Sequence, residues 1–190
     1  NNPSFALNKG VVYLSEDRRG VGLLLDESVE INITATAIHA YKEFMKWFIF
    51  LKIYDKKAIR QHAINMIKEL DIRCKSPSQP VRRLSGGNQQ KVCLARAFTL
   101  KPKILFVSEP TRGIDVGAKR LVLNYLVRMN REKGITIVMT SSELAELRSI
   151  CDRIAIVSEG KLSAILKPTD SDAEFGMAMA GKFQEVIIDE

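Results

Sequence analysis

Residues 84–92 of this chain read Leu-Ser-Gly-Gly-Asn-Gln-Gln-Lys-Val, a polar, glycine-rich turn opening directly into an amphipathic helix expected over 86–100. Gly86 and Gly87 let the backbone come close to an oxyanion, the unpaired amides of the first helical turn point at it, and Ser85 adds a hydroxyl. Taken alone, the turn fits either a phosphate site or a plain Ser-Gly-Gly cap. Fewer than twenty residues downstream, Ile104-Leu105-Phe106-Val107-Ser108-Glu109-Pro110-Thr111 reads as a buried strand ending in an acid. The end of a strand in an open α/β sheet is a usual place for an active-site carboxylate, which shifts the balance toward the phosphate site.

Short β-branched runs alternating with amphipathic stretches predict an α/β fold with a largely parallel sheet. The expected strands are 10–15, 104–108, 135–140 and 153–158, with a hairpin return over 162–166 after the Glu159-Gly160 turn. A helix is expected over 116–132 from the stripe Ala118, Leu121, Val122, Tyr125, Leu126 and Met129, with Gly134 at its C-cap and a short helix over 142–150 beyond. Residues 28–100 read instead as helices with little strand character, carrying the stripe Ile59, Ala63, Met66, Ile67 and Leu70 and a loop over 75–80. A short helix is expected over 172–181, followed by a frayed tail.

The chain has 190 residues, 46% of them hydrophobic, enough for one buried core and a small subdomain. No apolar run approaches the roughly 20 residues that span a bilayer, and no leader is read at the start, so a soluble chain is expected. Cys74, Cys93 and Cys151 are odd in number and far apart, which fits buried thiols in a reducing cytosol better than disulfides or a zinc site. His39 and His62 show no ligand spacing with them and are read as ordinary helix residues. The net charge of +7 is concentrated in one segment: residues 42–103 carry 15 basic and 4 acidic side chains. Such a segment can bind nucleic acid, anionic headgroups or phosphates, or be a solvated helix face. Within it, residues 44–53 (Phe-Met-Lys-Trp-Phe-Ile-Phe-Leu-Lys-Ile) set aromatic and apolar side chains beside the lysines, and part of that run must be core.

In order and spacing, these motifs resemble the ATP-binding cassette (ABC) ATPases: a signature over 84–92, a Walker B strand ending at Glu109, and a D-loop at Arg112-Gly113-Ile114-Asp115. The similarity is greatest to the second nucleotide-binding domain of ribose- and galactose-type sugar importers, through residues 109–119, 13–18 and 140–143. It implies a P-loop NTPase-like parallel sheet, partial here, with an inserted helical subdomain. The core would be 1–27 and 101–190, and the insert 28–100 would carry the signature. The resemblance gives Glu109 as the carboxylate that polarises the attacking water. It gives Ser85, Gly86, Gly87, Asn88 and Gln89 as the contacts to the γ-phosphate of a nucleotide held by the opposite domain of a head-to-tail dimer. Asp115 would cross that interface, with a plain helix N-cap as its bland alternative. Glu16 falls at the Q-loop position facing Mg2+ and the lytic water, against an ordinary exposed charge. ATP and Mg2+ are the implied cofactors. The implied partners are a second cassette domain and membrane-spanning permease subunits, at the cytoplasmic face of the membrane, with no nucleic acid.

Three departures qualify the resemblance. No GxxxxGK[ST] loop occurs in the sequence, so the chain looks like a domain without its phosphate-cradling first part and is expected to be inactive alone. Ser108 stands where Walker B ordinarily has aspartate, leaving only a weak metal contact beside Glu16. Ser142 takes the place of the switch histidine and cannot hold a positive charge against a γ-phosphate. These changes imply an asymmetric dimer with one weakened site. Two other readings are a non-catalytic cassette that only binds a partner, and a cassette acting on nucleic acid or ribosomes. The basic segment alone supports the last, and the run 111–118 speaks against it.

Overall fold

The computed structural model describes residues 2–182, which divide into two units, one ending at Thr140 and one beginning at Ser141. The tail expected to fray beyond the last helix lies almost wholly outside the described residues.

The first unit is built on three parallel strands, β1 (Val11–Leu14), β4 (Ile104–Ser108) and β5 (Thr136–Thr140), in the order β1-β4-β5. Their period-two pattern places Val12, Leu14, Leu105 and Val107 in the core. Tyr13, Phe106 and Val138, side by side in register, stay exposed on the other face. Between β1 and β4 come a single π-helical turn at Arg18–Gly22, α2 (Val29–Tyr41), a hairpin of β2 (Met45–Phe48) and β3 (Leu51–Tyr54), α3 (Lys56–Glu69) and α4 (Gly86–Thr99). A short helix, α1 (Pro3–Asn8), precedes β1. The core runs from the sheet through Val29, Ile33 and Ala63 into Val92 and Leu94 of α4, and on to Val122 and Leu126 of α5 (Val116–Lys133). Gly134 ends α5 at φ 65°, the left-handed C-cap that its position in the sequence predicts.

The hairpin is the main departure from the expected helices of 28–100. Its connection is Ile49-Phe50, with Ile49 at φ 57°, whereas such turns ordinarily use Asn or Gly. A β-branched residue there costs roughly 1–2 kcal/mol and gives no turn signal in the sequence. Of residues 44–54, Phe44 packs against the core and meets the His62 ring tilted by 47° at 5.0 Å between centroids, while Trp47 to Tyr54 are exposed.

In the second unit, α6 (Leu144–Ile150) is followed by β6 (Ile154–Ser158), β7 (Lys161–Leu166) and α7 (Asp172–Met179). β6 pairs antiparallel with β7 across the Glu159-Gly160 turn, both residues at positive φ, so the fourth expected strand belongs to a hairpin. Phe175 and Ala178 of α7 pack on Ile154, Ile156, Ala164 and Leu166. A capping box between Ser171 and Glu174 starts α7, and the Arg148 guanidinium lies 4.4 Å from the Phe175 ring centroid.

Candidate functional site: the start of α4 and the end of β4

Ser85 is the N-cap of α4. Its Oγ accepts from Asn88 Nδ2 at 2.9 Å and more weakly from the Asn88 amide at 3.5 Å. Asn88 Oδ1 in turn accepts from the Arg73 amide at 2.8 Å, so the exposed rim of the turn is tied to the chain after α3. The underside is held by buried polar groups. Gln89 Nε2 donates to the carbonyls of Val81 and Leu84, both at 3.3 Å, and Lys91 Nζ donates to the Asp71 carbonyl at 2.6 Å. These bonds offset the desolvation that leaves Gln89 3% and Lys91 4% exposed.

Packing requires the second signature glycine and leaves little room at the first. A Cβ on Gly87 would lie 2.9 Å from Ala118 Cβ, and one on Gly86 would lie 3.3 Å from the Gly113 carbonyl oxygen. The start of α4 is thereby pressed against the 113–118 segment. Arg18 closes the same corner: its Nη1 donates to the Gly86 carbonyl at 2.9 Å, and its other guanidinium nitrogen would meet a Cβ on Gly113 at 3.3 Å. Burial lowers the Arg18 pKa from its ordinary value, yet a guanidinium starts so basic that it stays charged. The local sequence carries no signal for this contact, which links residues 68 apart.

Asp115 caps α5, its Oδ1 accepting from the Ala118 amide at 2.9 Å. That backbone bond holds its carboxyl below the usual range. Asp115 Oδ2 would lie 3.6 Å from a Gly87 Cβ, so the cap stands beside the signature turn. Glu16 is exposed and accepts from Arg112 Nη1 at 3.1 Å, which joins the 13–18 segment to the loop preceding Asp115.

Glu109 terminates β4 at φ 45°, a left-handed conformation that a non-glycine residue adopts at a cost of roughly 1–2 kcal/mol. Its amide donates to the Thr140 carbonyl at 3.0 Å, and its carbonyl accepts from the Arg112 amide at 3.2 Å. The β4–β5 pairing therefore fixes where the chain turns and the carboxylate departs. Ser108, one residue earlier, accepts from Thr140 Oγ1 at 3.3 Å. Ser142 is exposed and belongs to the second unit. The structure thus gathers Ser85 to Gln89 with Asp115, and Ser108 with Glu109.

Among the described residues, no group of three or more His, Cys, Asp or Glu side chains could hold a metal ion. Mg2+ commonly takes one or two carboxylates and several phosphate or water oxygens, so these residues form no metal cage of their own. The polar, open turn at Ser85 suits a phosphate.

The ABC transporter family profile matches residues 5–112, more than half of the sequence. The chain belongs to the ABC transporter family. It is 38% identical over 180 residues to the ribose import ATP-binding protein RbsA of Caldanaerobacter subterraneus, and 37% identical over 179 residues to that of Bacillus subtilis. Those alignments cover 95% and 94% of this chain but 35% of each relative, so the chain spans about a third of their length. In three dimensions it resembles a dimeric ATP-binding cassette in a post-hydrolysis state bound to ADP and phosphate. That match has a TM-score of 0.71 and 21% identity, and covers 88% of this chain and 66% of the other. It also resembles CbiO1 of Clostridium perfringens, with a TM-score of 0.68, 23% identity, and 93% and 63% of the two chains covered. The α/β cassette fold expected from the sequence is the fold of these neighbours. No helix among the described residues is long and apolar enough to cross a membrane.

Proposed function

We propose that this chain is part of the ATP-binding subunit of a monosaccharide importer, and that its signature turn completes the nucleotide site of a second cassette domain. The observation that carries the reading is the anchoring of the α4 start. Arg18, Ala118, Gln89 and Lys91 hold it from beneath, while the Ser85 hydroxyl and the first helical amides, which have no intrahelical partners, form its rim. A rigid rim of donors with a helix dipole behind it suits a terminal phosphate. The nucleotide is presented by the facing cassette, with Asn88 and Gln89 holding the turn in shape. Asp115, beside Gly87, is placed to meet that cassette.

Glu109 orients a water and receives its proton, as a strand-end carboxylate can. Glu16 and Ser108 complete the nucleotide-facing set of the first unit, and Mg2+ arrives with ATP, neutralising phosphate charge. Ser142, in the second unit, is assigned to nucleotide binding by its sequence position alone. With a hydroxyl at 108, this site is the weaker of an asymmetric pair. The wider partners are membrane-spanning permease subunits, with the chain at the cytoplasmic face of the membrane; nucleic acid has no part in it.

The test is a graft of this chain in place of the matching segment of the Bacillus subtilis relative. In a graft whose facing cassette already has its own catalytic carboxylate replaced by glutamine, so that only this site turns over, Glu109→Gln lowers the remaining ATP turnover by roughly 100-fold, and unchanged remaining turnover removes Glu109 from catalysis.

A further inference from the structure

We propose that the β2–β3 hairpin is a lipid-interface anchor that seats its tip among the headgroups of an anionic bilayer. Trp47, Phe48, Ile49, Phe50 and Leu51 are all exposed, and Phe50, at 90%, is the most exposed large apolar residue among the described residues. They are contiguous and sit at the turn of a two-stranded ribbon whose register pairs Phe48 with Leu51 and Trp47 with Lys52. The turn uses Ile49-Phe50, with Ile49 held at φ 57°, where a residue chosen for folding alone would be Asn or Gly. An apolar, aromatic tip at that position is unfavourable in water and needs a partner outside the described fold.

The surrounding charge says what that partner is. In sequence the tip is flanked by Lys42 at the end of α2, Lys46 and Lys52 on the two strands and Lys56 and Lys57 at the start of α3, against Glu43, which pairs with Lys101 at 2.9 Å, and Asp55, which pairs with Lys46 at 3.7 Å. Tryptophan and phenylalanine settle at the headgroup level, and lysines behind them gain from the negative surface potential of anionic lipid. An apolar tip and a basic collar are two signals of the kind that together hold a protein reversibly on a membrane. The inference fits the membrane-side placement proposed above, but its test uses lipid alone, so either can fail without the other.

Trp47 is the only tryptophan in the sequence and therefore reports on the tip directly. The full chain is mixed with phosphatidylcholine vesicles, with and without phosphatidylglycerol, and Trp47 emission and vesicle sedimentation are followed. Emission should shift to the blue and be quenched by brominated acyl chains on phosphatidylglycerol vesicles. Binding should weaken several-fold on phosphatidylcholine alone. Lys46→Gln combined with Lys52→Gln should lower partitioning by roughly tenfold, a few-fold per lysine. Ile49→Ser combined with Phe50→Ser should abolish quenching without changing thermal unfolding. Unchanged Trp47 emission on phosphatidylglycerol vesicles overturns the proposal and leaves a permease helix as the occupant. Salt-sensitive binding without quenching by brominated lipid overturns it as well, because the tip would then not enter the interface.

Discussion

Two regions of the first unit invert the usual sorting of side chains, in opposite directions. The underside of the signature turn buries Gln89 and Lys91, whereas the hairpin exposes Trp47 at 72% and Phe50 at 90%. In the first region both of those side chains find carbonyl acceptors within the fold, Gln89 at Val81 and Leu84 and Lys91 at Asp71, while the neighbouring buried Gln90 leaves its Nε2 unpartnered. The polarity there fixes a shape. In the second the apolar side chains find nothing of comparable area within the described fold, and the backbone is strained at Ile49 to present them. The lesson is that a buried polar group with partners marks a region built to stay still, while an exposed apolar cluster marks one built to meet something else.

The comparison breaks most readily at Gly87. Replacing it with valine forces methyl groups into Ala118 and should cost about 2–3 kcal/mol, read as a lower urea midpoint at unchanged slope. A midpoint equal to the parent's would mean that the corner is loose. Gln89→Ala strips two carbonyls of their buried donor and should cost about 1–2 kcal/mol in the same measurement.

A smaller effect is expected at His62, whose ring meets Phe44 at a tilt and bonds to Thr99 Oγ1 at 2.8 Å. The Thr99 hydroxyl already donates to the Ala95 carbonyl, so His62 Nε2 is the donor. Burial lowers the ring's pKa from its ordinary 6.5, aided by Lys101 and opposed by Glu43 and Glu69. As pH falls, the unfolded chain takes up this proton before the folded one does. The stability contributed by the neutral ring is therefore present above about pH 6.5 and is lost as pH falls through the lowered folded value. His62→Gln should flatten that slope in denaturation midpoints measured between pH 7 and 5. The smallest effect is expected at the hairpin: Phe50→Ser should change stability by less than about 0.5 kcal/mol.

Most of the parallel sheet was legible in the sequence because its strands are β-branched runs bounded by turn residues. Ile104–Ser108 matches its expected bounds, and α5 follows its stripe to Gly134. The caps at Ser85 and Asp115 were legible for the same reason, since capping is a local rule. The hairpin was not, because a turn made of isoleucine and phenylalanine looks like the interior of an apolar helix. Nor was the placement of β6 with β7 alone, which depends on pairing across the sheet and not on strand propensity. Arg18 and Arg112 were hidden more deeply. In sequence they are charges in polar loops, and only the fold brings Arg18 to the Gly86 carbonyl and Arg112 to Glu16.

The signature turn's proposed role is tested most directly by two substitutions at Ser85 in the graft described above. Asparagine and aspartate both cap a helix well, so both variants should fold with the same thermal midpoint. They differ by one negative charge at the rim where the phosphate would sit. ATP turnover should remain within a few-fold of the parent for Ser85→Asn and fall by roughly 100-fold or more for Ser85→Asp, as charge repulsion in a water-excluded site requires. Equal turnover in the two variants would contradict the claim that this turn faces a nucleotide phosphate.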